Sequence, residues 1–272
     1  MKKSKERNKD KNPKNKEFYQ KQKMDLGNNP DFVYGKHAVV ESLKNPEKIN
    51  KLLIQEGLMN PDITHILNLA KQNHVQIQHV PKTKLNELTN QAVHQGVVAS
   101  IAAFEYAELE DLFAKAKEKG EEPYFLLLDG IEDPHNLGSI LRTADATGVH
   151  GIIIPKRRSV SLTSTVAKTS TGAIEHVPVV RVTNMVQTIE ILKERGLWVF
   201  GTDMKGTDYR KWQVNGPLAL VIGNEGKGIS RLVKESVDEM LTIPMTGHVQ
   251  SLNASVASAI LMYEVYRGRM SI

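Results

Sequence analysis

The chain has 272 residues, 40% of them apolar and 25% charged, no cysteine, and a formal net charge of +5. This allows one large or two smaller packed domains, and the missing cysteines exclude disulfides, thiolate catalysis and cysteine-bound zinc or iron–sulfur clusters. No apolar run approaches the roughly 20 residues that cross a bilayer, and the N-terminus lacks the apolar core of a signal peptide, so a cytoplasmic protein is expected.

Residues 1–30 carry ten Lys or Arg and four Asp or Glu, a net of +6, whereas the remainder carries 26 and 27, a net of −1. A run such as Lys2-Lys3-Ser4-Lys5-Glu6-Arg7 has too little apolar surface to offset the entropy of ordering. A disordered basic tail is expected, suited either to phosphate contact or to solubility alone.

From residue 31 the apolar spacing predicts a helix over 35–43, a strand over 51–55, a helix over 62–72, a strand over 75–80, a helix over 82–88 and a strand over 97–104. Together they make a small α/β domain at 31–106. Its last strand is fed by a turn at His94-Gln95-Gly96. Residues 107–122 are charged and helix-prone, and Glu121-Glu122-Pro123 breaks the pattern, so they read as a linker.

The unit at 123–272 opens with Tyr124-Phe125-Leu126-Leu127-Leu128-Asp129, a continuous apolar run of the kind found where a sheet is covered on both faces. Further strands are predicted over 151–154, 177–182, 198–202, 219–222 and 240–243. Helices at 137–146 and 185–195 lie between some of them, and a helix at 255–267 closes the chain. This alternation predicts an α/β doubly wound parallel sheet, whose ligands sit at the carboxyl ends of its strands.

Three strand-to-loop junctions stand out. The first runs Asp129-Gly130-Ile131-Glu132-Asp133-Pro134-His135-Asn136-Leu137, with Asn136 suited to cap the next helix and Arg142 on that helix. The second is Ile222-Gly223-Asn224-Glu225-Gly226-Lys227-Gly228, whose glycines permit close ligand approach. Its spacing matches neither the dinucleotide fingerprint nor the phosphate-binding loop, so a nicotinamide or nucleoside-triphosphate site is disfavoured. The third pairs Thr242-Ile243-Pro244-Met245 with Ser251-Leu252-Asn253-Ala254-Ser255 at the start of a small-residue helix. Taken singly, Asn136 reads as a cap, Arg142 as a solvated charge and Glu225 as loop charge.

In series and in this order, the three segments resemble the signature motifs of the TrmH-like (SpoU) ribose methyltransferases of the SPOUT superfamily, from Tyr124 to the C-terminus. Residues 31 to 107 resemble the accessory RNA-binding domain of that family, a small α/β fold shared with some ribosomal proteins, with Tyr34-Gly35-Lys36-His37-Ala38-Val39 and His94-Gln95-Gly96-Val97 as its ends. The layout is most similar to bacterial 23S rRNA guanosine-2′-O-methyltransferases. The resemblance implies a parallel-sheet SPOUT domain with a C-terminal trefoil knot, a homodimer, S-adenosylmethionine as cofactor, RNA as partner, and no metal. It places cofactor contacts at Gly223, Asn224, Ile243, Met245, Ser251 and Leu252, with Thr202 as a further one. It makes Arg142 the catalytic arginine, with Asn136, Glu225, Ser251 and Asn253 around it. Because an arginine stays protonated, Arg142 is expected to orient an RNA phosphate and stabilise the developing alkoxide, while another group or water takes the proton. Methylation of tRNA, or a silent RNA-binding role in ribosome assembly, are the alternative readings.

Overall fold

The apolar run from Tyr124 to Asp129 is the centre of a six-stranded sheet, and its side chains divide between two cores. The computed structural model describes residues 31–249 and 251–270; the tail expected at 1–30 lies outside them. The chain forms two units that divide between Ile101 and Ala102.

In the first unit the strands are β1 (Phe32–Tyr34), β2 (Ile49–Gln55), β3 (Ile77–Val80) and β4 (Val97–Ile101), in the order β1-β4-β2-β3. Only β2 and β3 run parallel; β4 is antiparallel to both its neighbours. Helices α1 (Lys36–Ser42), α2 (Pro61–Gln72) and α3 (Lys82–Leu88) complete it. Asn60 caps α2 by accepting the Ile63 amide at 3.0 Å, and Ile63, Ile66 and Ala70 pack on one sheet face with Leu52 and Val97. The two segments taken as the domain's ends meet: the Lys36 amide donates to Gln95 Oε1 at 3.0 Å. β1 was not anticipated, since three residues are too few to show a period.

In the second unit α4 (Leu109–Lys119) precedes β5 (Tyr124–Asp129), α5 (Pro134–Ala146), β6 (Gly151–Pro155), α6 (Ser164–Ser170), β7 (Val179–Val182) and α7 (Met185–Glu194). Then come β8 (Trp198–Asp208), β9 (Leu218–Gly223), α8 (Arg231–Ser236), β10 (Glu239–Thr242) and α9 (Ala254–Arg269). All pairings in the sheet are parallel and its order is β10-β8-β9-β5-β6-β7. Tyr124, Leu126 and Leu128 bury against α5 and α9, and Phe125 and Leu127 against α4, α7 and α8. Each fully buried side chain of this size contributes about 1.5–3 kcal/mol relative to exposure.

Residues 107–122, expected as a linker, are corrected by the structure. They form α4, with Leu112 and Ala116 buried in the second unit's core and Phe113 edge-on to Phe125. The charge pattern that suggested a linker is the solvated face of an amphipathic helix. A second correction concerns the start of α5. Asp133, not Asn136, caps it, accepting the His135 amide at 2.8 Å. Pro134 occupies the first helical turn, where its missing N–H costs nothing, so Asn136 lies inside the helix with its side chain free for another task.

Candidate active site

The strand order reverses direction between β5 and β9, which are paired in register up to Asp129 opposite Gly223. Both loops leaving these strands therefore emerge side by side at the carboxyl end of the sheet, where open α/β sheets place ligands.

Asn224 holds the two loops together. Its Nδ2 donates to Gly130 O at 2.9 Å, while its Oδ1 accepts from the amides of Gly226 and Lys227. A reciprocal backbone pair between Asn224 and Gly228 closes the turn. Gly223 is required here by space: a Cβ would stand 2.3 Å from Gly228 C and Ile229 N. Both the side chain and the backbone of Asn224 are thus engaged in loop closure.

The third segment locks onto the first two through one carboxylate oxygen. Glu225 Oε1 accepts from Asn136 Nδ2 at 2.9 Å, from Asn253 Nδ2, and from the Ala254 amide at 3.1 Å. Asn253 Nδ2 also donates to Asn136 Oδ1 at 2.9 Å. Meanwhile Asn253 Oδ1 caps α9, accepting the amides of Ser255 and Val256. These are charge-assisted bonds in part, stronger than neutral ones. They fix the start of α9, and with it Ser251 and Leu252, against the β9 loop.

Beside this cluster lies a cavity of about 380 Å³, within the size range of small-molecule sites. Thr202, Gly223, Asn224, Ile243, Met245, Ser251 and Leu252, all expected at a cofactor site, line it, as does Glu225. Sequence reading missed Asp203, Met204, Leu241, Thr242 and Leu261 among the lining residues. Asp203 and Met204 belong to a detour: Gly201 pairs with Met240 but Thr207 pairs with Leu241, so residues 202–206 bow out of β8 as a wall of the cavity. Gly206 allows this return, since a Cβ there would meet Met240 O at 2.4 Å. The Lys234 ammonium beside Asp203 holds its carboxyl below the usual carboxylate range. The available signal was the pair Gly201 and Gly206 flanking a strand that outlasts its apolar residues.

Arg142 is not brought to the cavity. It lies exposed on α5, six residues beyond Asn136, and its side chain has no hydrogen bond or ion pair among the described residues. The described residues hold no cluster of histidine and carboxylate side chains that could bind a metal ion.

With this geometry in place, comparison with known proteins is specific. Residues 123–263 match the SpoU rRNA Methylase family, and residues 32–107 match the family described as RNA 2′-O ribose methyltransferase substrate binding. The chain belongs to the SpoU methylase family. A Bacillus subtilis (strain 168) relative, YacO, provisionally assigned as a TrmH family tRNA/rRNA methyltransferase, is 58% identical over 88% of this chain and 96% of its own. Among solved structures, an AdoMet-bound rRNA methyltransferase from Sinorhizobium meliloti is 25% identical, with a TM-score of 0.55 over 87% of this chain and 86% of its own. A structure concerned with 2-OH methylation of C/U34 on tRNA is 26% identical with a TM-score of 0.51, but matches 56% of this chain against 99% of its own.

Proposed function

We propose that this SpoU family member methylates a ribose 2′-hydroxyl of RNA with S-adenosylmethionine, and that its substrate is a guanosine of 23S rRNA. The observation that carries the reading is the cavity beside the β5/β9 junction, walled by the second and third motif loops, with the first motif tied to them through the Asn136–Glu225–Asn253 cluster.

The residues present suit the cofactor. Ile222, Leu241, Ile243, Leu252 and Leu261 offer an apolar lining, and backbone groups at 223–228 and 241–245 offer polar contacts, the mixture typical of cofactor sites. S-adenosylmethionine, when bound, supplies a methyl group already activated as a sulfonium. The protein's task is alignment, which can account for much of a two-reactant rate enhancement. Gly223 lets backbone come close, and the apolar wall excludes water. Asn253, tied to Glu225, holds Ser251 and Leu252 in place. As the 2′-oxygen gains the methyl it loses its proton. Arg142, always cationic, is assigned to the RNA phosphate and the developing negative charge, and water or another group receives the proton.

Ribosomal RNA is preferred because the likeness to an rRNA methyltransferase runs through both units, whereas that to the tRNA-linked structure is confined to little more than half the chain. An rRNA substrate implies an enzyme of the cytoplasm. The same reading carries a C-terminal trefoil knot, in keeping with β10 pairing to β8 at the sheet's edge while α9 returns to pack on α5. It also carries a homodimer, for which Val256 and Tyr263 offer exposed apolar surface along α9.

The test is transfer of labelled methyl from S-adenosylmethionine to purified 23S rRNA and to bulk tRNA, with Arg142→Ala alongside. Label on a ribose of 23S rRNA, lost in the variant, supports the proposal. Label on tRNA alone keeps the chemistry and moves the substrate. Failure to bind the cofactor overturns the enzymatic reading.

A further inference from the structure

The arginines of the second unit divide into two groups. Arg195, Arg210, Arg231 and Arg267 each pair with a carboxylate, Arg269 donates to backbone carbonyls, and Arg181 stacks on Tyr106. Arg142, Arg157 and Arg158 are exposed and their side chains have no hydrogen bond or ion pair among the described residues, and neither does that of the adjacent Lys156. Arginines that meet no acid of their own chain keep their full donor fork for an external phosphate.

Their placement is not scattered. Lys156 follows β6 at the carboxyl end of the sheet, the end that carries the cavity. The loop is pinned at both sides: the Lys156 amide donates to Val182 O at 2.8 Å, and the Val160 amide donates to Ile131 O at 2.8 Å. The second bond ties it to the very loop that leads from β5 into Asn136. Arg158 adopts φ 56°, a left-handed conformation that costs a residue bearing a Cβ about 1–2 kcal/mol and that glycine adopts freely. A long cationic side chain is kept where folding alone favours glycine. On the bonded loop Ile131 is followed by Glu132, which has no partner of its own among the described residues, and by Asp133, which caps α5, so the three cations of the 156–158 run outnumber the two carboxylates of that loop.

We propose that the loop at 156–159 is a phosphate-binding edge of the active site, with Arg157 and Arg158 gripping the RNA strand on the side of the target ribose. This rests on the RNA-methylating reading above. These arginines act by positioning the substrate, without touching the cofactor. Phosphate contacts of this kind hold the strand in register without reading its sequence.

The experiment measures binding of a fluorescein-labelled single-stranded RNA oligonucleotide to the full chain over a range of salt. The variants are Arg157→Ala/Arg158→Gly and Arg157→Lys/Arg158→Lys, with S-adenosylmethionine affinity and thermal unfolding measured in parallel. Glycine suits the backbone at 158, so the first variant is expected to fold. Its plot of log affinity against log salt should become shallower by roughly 1.4, about 0.7 for each phosphate of a single strand that is no longer neutralised. Its KM for RNA should rise at least severalfold with cofactor affinity unchanged. The lysine variant should keep the slope, because the charge is kept, whereas a purely structural role would not be rescued in this way. An unchanged slope in the first variant, with wild type binding RNA, overturns the proposal and leaves the proposed function standing. Absence of RNA binding by the wild type overturns the function reading and this proposal together.

Discussion

Asn136 and Glu225, 89 residues apart, are joined by a 2.9 Å hydrogen bond that ties the helix after β5 to the loop after β9. Asn253 completes the triangle by donating to both. Three loops of low regularity thereby become one rigid rim, and rigidity is what a reaction dominated by alignment needs.

Asn253 is the hinge of that rim, so its loss should be felt twice. Asn253→Ala removes the α9 cap, which typically costs ~1 kcal/mol, and leaves Glu225 with fewer donors. A lower melting temperature and slower methyl transfer are expected together. Asn253→Asp keeps a capping oxygen but sets a carboxylate against Glu225. It should lose activity with a smaller loss of cap stability. Unchanged kinetics in both variants would show that the triangle is only structural.

Gly223→Ala tests the cofactor pocket. The added methyl would stand 2.3 Å from the backbone at Gly228 and Ile229, and no side-chain rotation relieves a clash with backbone. Overpacking of this kind costs about 1–3 kcal/mol. We expect at least a tenfold loss of S-adenosylmethionine affinity by titration calorimetry. Wild-type affinity in this variant would remove the 223–228 loop from the proposed cofactor site.

Arg142→Ala should separate chemistry from cofactor binding. The side chain lies outside the cavity, so cofactor affinity should stay within twofold of wild type. The methyl-transfer rate should fall by about 10²–10³, the usual cost of removing one donor that stabilises developing charge. A parallel loss of cofactor affinity would contradict the role assigned to it.

A pH effect on stability follows from His150, fully buried at the far side of the second unit. Its Nδ1 accepts the Tyr124 amide at 3.0 Å, so the ring is neutral with its proton on Nε2, toward Glu121. Burial lowers its pKa, with Glu121 opposing in part and Lys119 and Arg269 reinforcing the shift. The unfolded chain takes up this proton near the ordinary histidine value of about 6.5, the folded chain only at lower pH. In that window the unfolded state holds more protons, so stability falls as pH drops below about 6.5 and is regained above it. Calorimetry from pH 8 to 5.5 should show a declining melting temperature for the second unit, with a flatter slope for His150→Gln. Equal slopes would assign the effect elsewhere.

By itself the sequence determined the local elements that repeat: the apolar run of β5, the alternation of strand and helix, and the order of the three motif loops. These rest on side-chain period and on residues close in the chain, so one dimension suffices to read them. The tertiary structure decided the rest. α4 looked like a linker because its charged face dominates the composition, and only the packing of Leu112 and Phe113 reveals its other face. Asn136 looked like a cap because Asp133 and its partner Glu225 could not be weighed without coordinates. The bowed segment at 202–206 depends on how β8 pairs with β10, whose residues lie more than thirty positions away. The unpaired state of Arg157 and Arg158 is likewise a property of three dimensions. Which cations find an acid is settled by the fold's long-range neighbours, and those two have no acid partner among the described residues, on a loop bonded to the one that leads into Asn136.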